Sequence, residues 1–134
     1  MNKILLIDDS DADNFIHQRV IEKADVADNI IVKNSGQAAL EYLSSKDENG
    51  NTPVPDLIFL DINMPGMNGW EFLENYEKLE PEQKAGIIVC MLTTSVAEAD
   101  KQKAGGFPLV ESFLHKPLTQ ETLFKISDDY FLNK

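Results

Sequence analysis

Side chains able to do chemistry stand at the ends of four short apolar runs of this sequence. They are, in chain order, Asp8 with Asp9, Asp61, Thr93 and Lys116. Neighbouring carboxylates repel one another, and a divalent cation such as Mg²⁺, which prefers oxygen ligands and keeps several waters, would relieve that repulsion. A lysine and a hydroxyl beside such a cation could bind the remaining oxygens of a phosphate. The set therefore indicates metal-assisted phosphoryl transfer, with the central carboxylate, Asp61, as the candidate nucleophile.

Each of these residues also has a simpler interpretation. Asp8 and Asp9 could cap the helix that follows them, and Asp61 could begin a turn, since proline and glycine residues come after it. Residues 93–95 could be no more than the start of a helix. Lys116, which precedes a proline, could be a solvated loop residue. Four separate runs that end in complementary polar groups are hard to obtain by accident, and this favours a joint site.

The apolar runs alternate with longer amphipathic segments, which predicts strands separated by helices. The predicted strands are Ile4–Ile7, Ile30–Val32, Leu57–Leu60, Ile87–Leu92 and Ser112–Leu114, and the predicted helices are 11–24, 36–45, 67–79, 96–104 and 119–131. Such an order predicts an α/β fold, in which a parallel sheet is covered by helices on both faces. The carboxyl ends of parallel strands meet at one edge, so the polar residues should gather there.

Local signals refine the predicted helices. Three of them follow candidate N-cap residues, namely Ser35, Ser95 and Thr119. In segment 11–24, Ile16 and Val20 lie one turn apart with Phe15 beside them, which indicates an apolar face. Trp70 is expected to pack in the core, and segment 46–55 has the composition of an exposed loop.

Composition and charge fit one compact domain. The 134 residues are 43% hydrophobic and 26% charged, which is ordinary for a globular protein. The net charge of −11 would repel nucleic acid phosphates and anionic membranes, so neither is expected as a partner. The four consecutive apolar residues near the N-terminus are too few for a signal peptide, and the single cysteine, Cys90, is expected to be buried. We therefore expect a cytoplasmic protein.

Four segments of the chain together resemble the response-regulator receiver domains of two-component signalling. They are LLIDD (5–9), LDINMPGMNG (60–69), MLTTS (91–95) and FLHKP (113–117). The resemblance covers essentially the whole chain, 1–134, and implies a flavodoxin-like (βα)5 fold, a doubly wound five-stranded parallel sheet in the order 2-1-3-4-5. About sixteen residues follow Leu118. That is enough for a last helix, so no output domain is expected.

The resemblance also implies a phosphoacceptor and its metal site. Asp61 would take a phosphoryl group from a histidine kinase or a histidine phosphotransfer protein. Mg²⁺, or alternatively Mn²⁺, would be held by Asp61, by Asp9 directly and by Asp8 largely through water. The backbone carbonyl of Asn63 would complete the set.

Four further residues match the family's phosphoryl-binding and switch positions. Lys116 would bind the phosphoryl group, and Thr93 would supply the hydroxyl that swings toward it. Phe113 stands at the switch aromatic, where many members have tyrosine, and phenylalanine has no hydroxyl to donate. Thr94 stands where many members have alanine, and its extra bulk could hinder inward rotation of Phe113.

The expected output is a change in protein contacts. Phosphorylation adds a charge of about −2 at the rim near neutral pH. Helix 96–104 has few large apolar anchors, which makes it a reasonable moving part. The output face would combine that helix with strand 112–116 and helix 119–131. Such a chain is a signalling protein and not an enzyme, apart from its own phosphoryl transfer and slow dephosphorylation.

Three other functions remain open. A flavin-binding electron carrier would need a phosphate-cradling first loop, whereas residues 8–11 are largely acidic. A Mg²⁺-dependent phosphatase would need a second acid two residues after Asp61, where Asn63 stands. A receiver-like module that binds partners without phosphorylation is the main alternative. His17 and His115 are expected to be ordinary residues and not phosphate carriers.

Overall fold

Five strands alternate with helices in the computed structural model, which describes residues 1–81, 88–94, 98–107 and 110–132. The strands are β1 (Lys3–Ile7), β2 (Asn29–Lys33), β3 (Leu57–Asp61), β4 (Ile88–Thr93) and β5 (Val110–His115). The α-helices of the described residues are α1 (Asp11–Ala24), α2 (Gly36–Ser44), α3 (Gly69–Glu77), α4 (Glu98–Ala104) and α5 (Gln120–Ser127). Ile87, Ser95 and the first two residues of the predicted helix 96–104 lie outside the described residues.

The strands form one parallel sheet in the order β2-β1-β3-β4-β5, which confirms the predicted flavodoxin-like arrangement. β3 lies between β1 and β4, with Leu5 opposite Ile58 and Asp61 opposite Leu92. The ends of these three strands therefore meet at the same edge. β5 pairs with β4 on the outside, and this pairing brings the residues after His115 to that edge as well.

Helices cover both faces of the sheet, as the continuous apolar runs predicted. Ile58 and Leu60 of β3 belong to a core that includes side chains of α2 and α3. Leu57 and Phe59, which point the other way, belong to a second core with side chains of α1 and α5. Cys90 is buried in this second core, as expected from the sequence.

Helix α1 forms where the sequence predicts it but buries only part of its apolar pattern. Val20 packs against the second core, whereas Phe15 and Ile16 are 63% and 48% exposed. Instead the helix buries Asn14, His17 and Ile21. Asn14 is held inward because its Nδ2 donates a hydrogen bond of 2.8 Å to the backbone carbonyl of Asp8. A polar contact with the sheet edge therefore sets the rotation of this helix.

Side chains cap four of the described helices. Ser35 and Thr119 accept a backbone N–H at the starts of α2 and α5, as predicted. The cap of α1 is Ser10, so the acids before it are not needed as caps. Asn68 caps α3, which therefore begins at Gly69 and not at residue 67.

The chain after β5 differs in detail from the predicted helix 119–131. It is α-helical only to Ser127, and a π-helical turn covers Asp128–Leu132. Segment 46–55 contains neither helix nor strand and is mostly exposed, as its composition predicted. None of the helices in the described ranges is long and apolar enough to cross a membrane.

Candidate functional site

Three carboxylates lie together at the carboxyl edge of the sheet. Asp8 follows β1, and Asp61 is the last residue of the neighbouring strand β3. Both are buried, whereas Asp9 is exposed. One oxygen atom from each of the three lies within 4.8 Å of the other two. The fold thus brings together the three acids that the sequence analysis grouped.

Lys116 follows the outer strand β5, and its side chain reaches these acids at the same edge of the sheet. Its Nζ lies 2.6 Å from Oδ2 of Asp8 and 3.2 Å from Oδ1 of Asp61, and its side chain is only 8% exposed. The backbone N–H of Lys116 donates a hydrogen bond of 2.7 Å to the carbonyl of Thr93. This bond links the end of β4 to the loop after β5 and so fixes where the lysine stands.

Asp13 is a member of the cluster that the sequence analysis missed. Its Oδ2 lies 2.8 Å from Nζ of Lys116, and it stands in the first turn of α1. Helical side chains lean toward the N-terminus of their helix. An acid three residues after the cap Ser10 can therefore reach back over the loop to the sheet edge. The spacing of Asp13 from Ser10 was therefore the sequence signal that could have placed Asp13 in the cluster.

Backbone contacts hold the two buried carboxylates in place. The N–H of Ser10 donates to Oδ1 of Asp8 at 3.0 Å, and Asn14 binds the carbonyl of the same residue. At the end of β3, the N–H of Gly69 donates to the carbonyl of Ile62 at 2.8 Å. A Cβ atom on Gly69 would lie only 2.7 Å from the backbone oxygen of Asp61. The start of α3 therefore packs directly against the end of β3.

The electrostatics of the site follow from this burial. Desolvation and repulsion from Asp8 raise the pKa of Asp61 to about 6, and attraction to Lys116 offsets only part of the rise. Burial alone would lower the pKa of Lys116, but hydrogen bonds to Asp13 and Asp8 raise it above its ordinary value. Burial, followed by repulsion from Lys116, lowers the pKa of His17. Among the described residues, Lys116 is the cation that pairs with these acids.

The remaining residues of the predicted site lie around this cluster. Thr93 is buried at the end of β4, and Thr94 after it is exposed. Phe113 lies opposite Met91 in the sheet, is half-buried, and packs against the core beside α2 and α3. Asn63 is exposed in the loop after β3. The half-buried ring is consistent with a packing role for Phe113, which has no hydroxyl.

The donor set suits a small hard cation. Carboxylate oxygens are the ligands that Mg²⁺ and Mn²⁺ prefer, and Asp8 and Asp61 stand at the carboxyl ends of neighbouring strands. Among the described residues, Asp8, Asp9 and Asp61 form the one group of acidic, histidine or cysteine side chains that are close enough together to hold a metal ion. The residues therefore fit a divalent cation.

Residues 4–128 match the sequence model of the response regulator receiver domain. The chain belongs to the response-regulator receiver family. This receiver domain is similar to response regulator Rcp1 of Synechocystis, with 36% identity over 124 residues that cover 92% of this chain and 82% of Rcp1. Its fold is similar to that of a two-component response regulator from Cytophaga hutchinsonii, with a TM-score of 0.87 and 34% identity over 100% of this chain and 98% of that one.

Two further structures are informative because of what they contain. The Mn²⁺-bound form of Rcp1 is similar to this receiver domain with a TM-score of 0.72 and 32% identity, covering 96% of this chain and 91% of that one. The phosphorylated cyanobacterial phytochrome response regulator RcpA is similar with a TM-score of 0.77 and 27% identity. The match covers 99% of this chain and 96% of RcpA. Receiver domains bind Mg²⁺ or Mn²⁺ in an acidic pocket and take phosphoryl groups from histidine kinases. They are signalling domains and not classical enzymes, which argues against the flavin carrier and the phosphatase.

Proposed function

We propose that this receiver domain is a phospho-accepting switch in which Asp61 receives a phosphoryl group from a histidine kinase or a histidine phosphotransfer protein. The observation that carries the proposal is the position of this carboxylate. It is buried at the end of the central strand, with an ammonium group 3.2 Å away and two further acids beside it. A structural carboxylate would not need that arrangement of charge.

The transfer step uses the chain's own residues in simple roles. An oxygen of the Asp61 carboxylate forms a bond to phosphorus, while the bond between phosphorus and the donor's imidazole nitrogen breaks. The electron pair of that bond stays on the nitrogen, which takes up a proton, and the product on this chain is an acyl phosphate. Lys116 pairs with one phosphoryl oxygen, and the hydroxyl of Thr93 donates to another.

The acidic residues would hold the cation that the reaction needs. Asp8, Asp9 and Asp61, with the backbone carbonyl of Asn63, would bind Mg²⁺ or Mn²⁺. When bound, the ion supplies positive charge that offsets the charge on the phosphoryl oxygens.

The exposed apolar side chains of α1 provide a surface for the phosphoryl donor. Phe15 and Ile16 follow directly after the turn that carries Asp13, so a partner that contacts them lies beside the acceptor site. Exposed clusters of large apolar side chains are typical of protein interaction sites. The guanidinium of Arg19 lies 5.8 Å from the Phe15 ring centroid and adds a positive charge to the same face.

The signal would leave through α4, β5 and α5. Trp70 of α3 stacks on Phe107, which precedes β5, with ring centroids 5.8 Å apart. The Nζ of Lys103, near the end of α4, lies 5.4 Å from the same indole centroid. A rearrangement of α4 would therefore change the surroundings of Trp70 and its fluorescence. We propose that residues 1–134 act as one receiver domain in the cytoplasm, where kinases make phosphohistidine from ATP, and signal through protein contacts.

Small-molecule phosphorylation tests this function. The purified chain is incubated with acetyl phosphate and Mg²⁺ and then weighed intact. We expect one phosphoryl adduct, which requires the metal and is lost in Asp61→Asn but kept in Asp11→Asn, a change at an exposed acid near the site. No adduct on the wild-type chain under any metal condition would overturn the proposal and favour a module that binds partners without phosphorylation.

A further inference from the structure

Lys116 contacts three carboxylates, and two of them also belong to the candidate metal site. Asp8 and Asp61 lie 2.6 Å and 3.2 Å from Nζ, and both are in the group of acids that could hold a cation. Among the carboxylates of the described residues that pair with Nζ of Lys116, Asp13, at 2.8 Å, is the one that lies outside that group. The three contacts are therefore not equivalent.

A cation and the ammonium group compete for the same oxygens. A divalent ion bound to Asp8 and Asp61 would repel Nζ of Lys116, since like charges a few ångströms apart repel strongly in a partly buried site. The lysine would then need another anion to stay at the sheet edge. Asp13 is in direct contact with it and is not needed as a metal ligand.

We propose that Asp13 is a positioning residue, which holds the Lys116 ammonium at the acceptor site while a divalent cation occupies Asp8 and Asp61. This inference rests on the proposed function. Asp13 does not touch the phosphoryl group in this scheme; it acts by keeping the lysine within reach. Without Asp13, the lysine pairs only with the metal-binding acids and competes with the cation.

The placement of Asp13 suits this role. It stands in the first turn of α1, and its backbone N–H donates to the hydroxyl of the cap Ser10 at 3.2 Å. Its side chain is 34% exposed, compared with 8% for Asp61, so it is a less desolvated partner for the lysine. The position also lies at the positive end of the helix dipole, where a carboxylate is favoured. The helix thus supplies an anchor that is independent of the acceptor strand.

Mg²⁺ binding measured by calorimetry on the full chain tests the proposal. We expect Asp13→Asn to weaken Mg²⁺ binding by about twofold to fivefold, which corresponds to the upper part of the range for a partly exposed ion pair. Asp11→Asn removes the same charge from the same helical turn without removing a contact to Lys116, and it should change the affinity less. Circular dichroism establishes that each variant is folded.

A double-mutant cycle separates positioning from a simple loss of charge. If Asp13 acts through the lysine, Asp13→Asn will have a smaller effect on Mg²⁺ affinity in the Lys116→Met background than in the wild type. Asp13→Glu, which keeps the carboxylate, should retain most of the wild-type affinity. Equal effects in the two backgrounds, or equal effects of Asp13→Asn and Asp11→Asn, would overturn the inference and leave the proposed function intact. A wild-type chain that binds neither Mg²⁺ nor Mn²⁺ would overturn both.

Discussion

Asp61 stands where a carboxylate is costly to ionise. It is buried at the end of β3, and Asp8, the like charge that repels it most, follows the neighbouring strand β1. The cation Lys116 lowers that cost without removing it, because it also pairs with two other acids. The site is therefore short of positive charge, and a divalent cation would correct this.

The raised pKa of Asp61 predicts how stability depends on pH. The pKa lies near 6 in the folded chain and at the ordinary 3.8 when unfolded, so the folded chain binds this proton more tightly. Stability should therefore fall as pH rises through this window. Asp61→Asn lacks the titrating group, and without metal we expect it to be more stable than wild type at pH 7. That advantage should shrink as pH falls through about 6 toward 4.

Denaturant unfolding in the presence of a chelator measures this difference. Asp11→Asn, which removes a carboxylate at an exposed position, serves as the control. If the stability of Asp61→Asn relative to wild type increased as the solution is acidified, the raised pKa of Asp61 would be contradicted.

Single residues also show how far sequence reasoning extends. The residues Asp8, Asp9 and Asp61 could be grouped from the sequence because each follows or ends an apolar run, and parallel strand ends must converge. Asp13 could not be grouped in the same way, since its contact depends on the direction of a helical side chain.

At the scale of elements, the end of β3 and the start of α3 are packed tightly together. Gly69 is the first residue of α3, and its backbone lies against the end of β3. The strands were predictable because continuous apolar runs are typical of a sheet covered on both faces. The rotation of α1 was not, because a polar contact from Asn14 outweighs the exposure of Phe15 and Ile16.

Gly69→Ala should disturb both stability and phosphorylation. The new Cβ would meet the backbone oxygen of Asp61 at 2.7 Å, so the strand end or the helix must shift. We expect a loss of about 1–3 kcal/mol in the free energy of unfolding, as for other overpacked sites. Phosphorylation by acetyl phosphate should also become slower, because the carboxylate moves with the strand end.

Gly106→Ala is the matched control for this change. Its Cβ would lie 3.4 Å from the nearest atom, the carbonyl of Lys103, and the residue is exposed. Normal stability and normal labelling of Gly69→Ala would show that the close packing of α3 on β3 is not needed.

The whole molecule presents two surfaces with different expected tasks. The face with Phe15 and Ile16 lies beside the acceptor site and is suited to the phosphoryl donor. We propose the face of α4, β5 and α5 as the surface that contacts the target of the signal. The net charge of −11 disfavours nucleic acid as that target. The exposed apolar residues on α1 could not be predicted, since their spacing resembles that of a buried helix face.

Substitution on α1 should separate the two routes to phosphorylation. We expect Phe15→Ser to slow transfer from a histidine kinase or phosphotransfer protein by about tenfold, the effect of losing one well-buried contact residue. Labelling by acetyl phosphate, which needs no docking surface, should be unchanged. Phe124→Ser, at another exposed aromatic residue on α5, is the control for transfer. Equal loss by both routes would mean that Phe15 supports the fold and does not bind the donor.

Borohydride trapping locates the phosphoryl group chemically. Borohydride reduces an acyl phosphate to an alcohol and does not reduce a phosphohistidine, so peptide mass mapping identifies the residue that carried the phosphate. After treatment with acetyl phosphate and Mg²⁺, we expect the reduced side chain at Asp61 and at no other acid. Reduction at Asp8 or Asp9, or a phosphate retained on His17 or His115 with none trapped at Asp61, would contradict the assignment of Asp61 as phosphoacceptor.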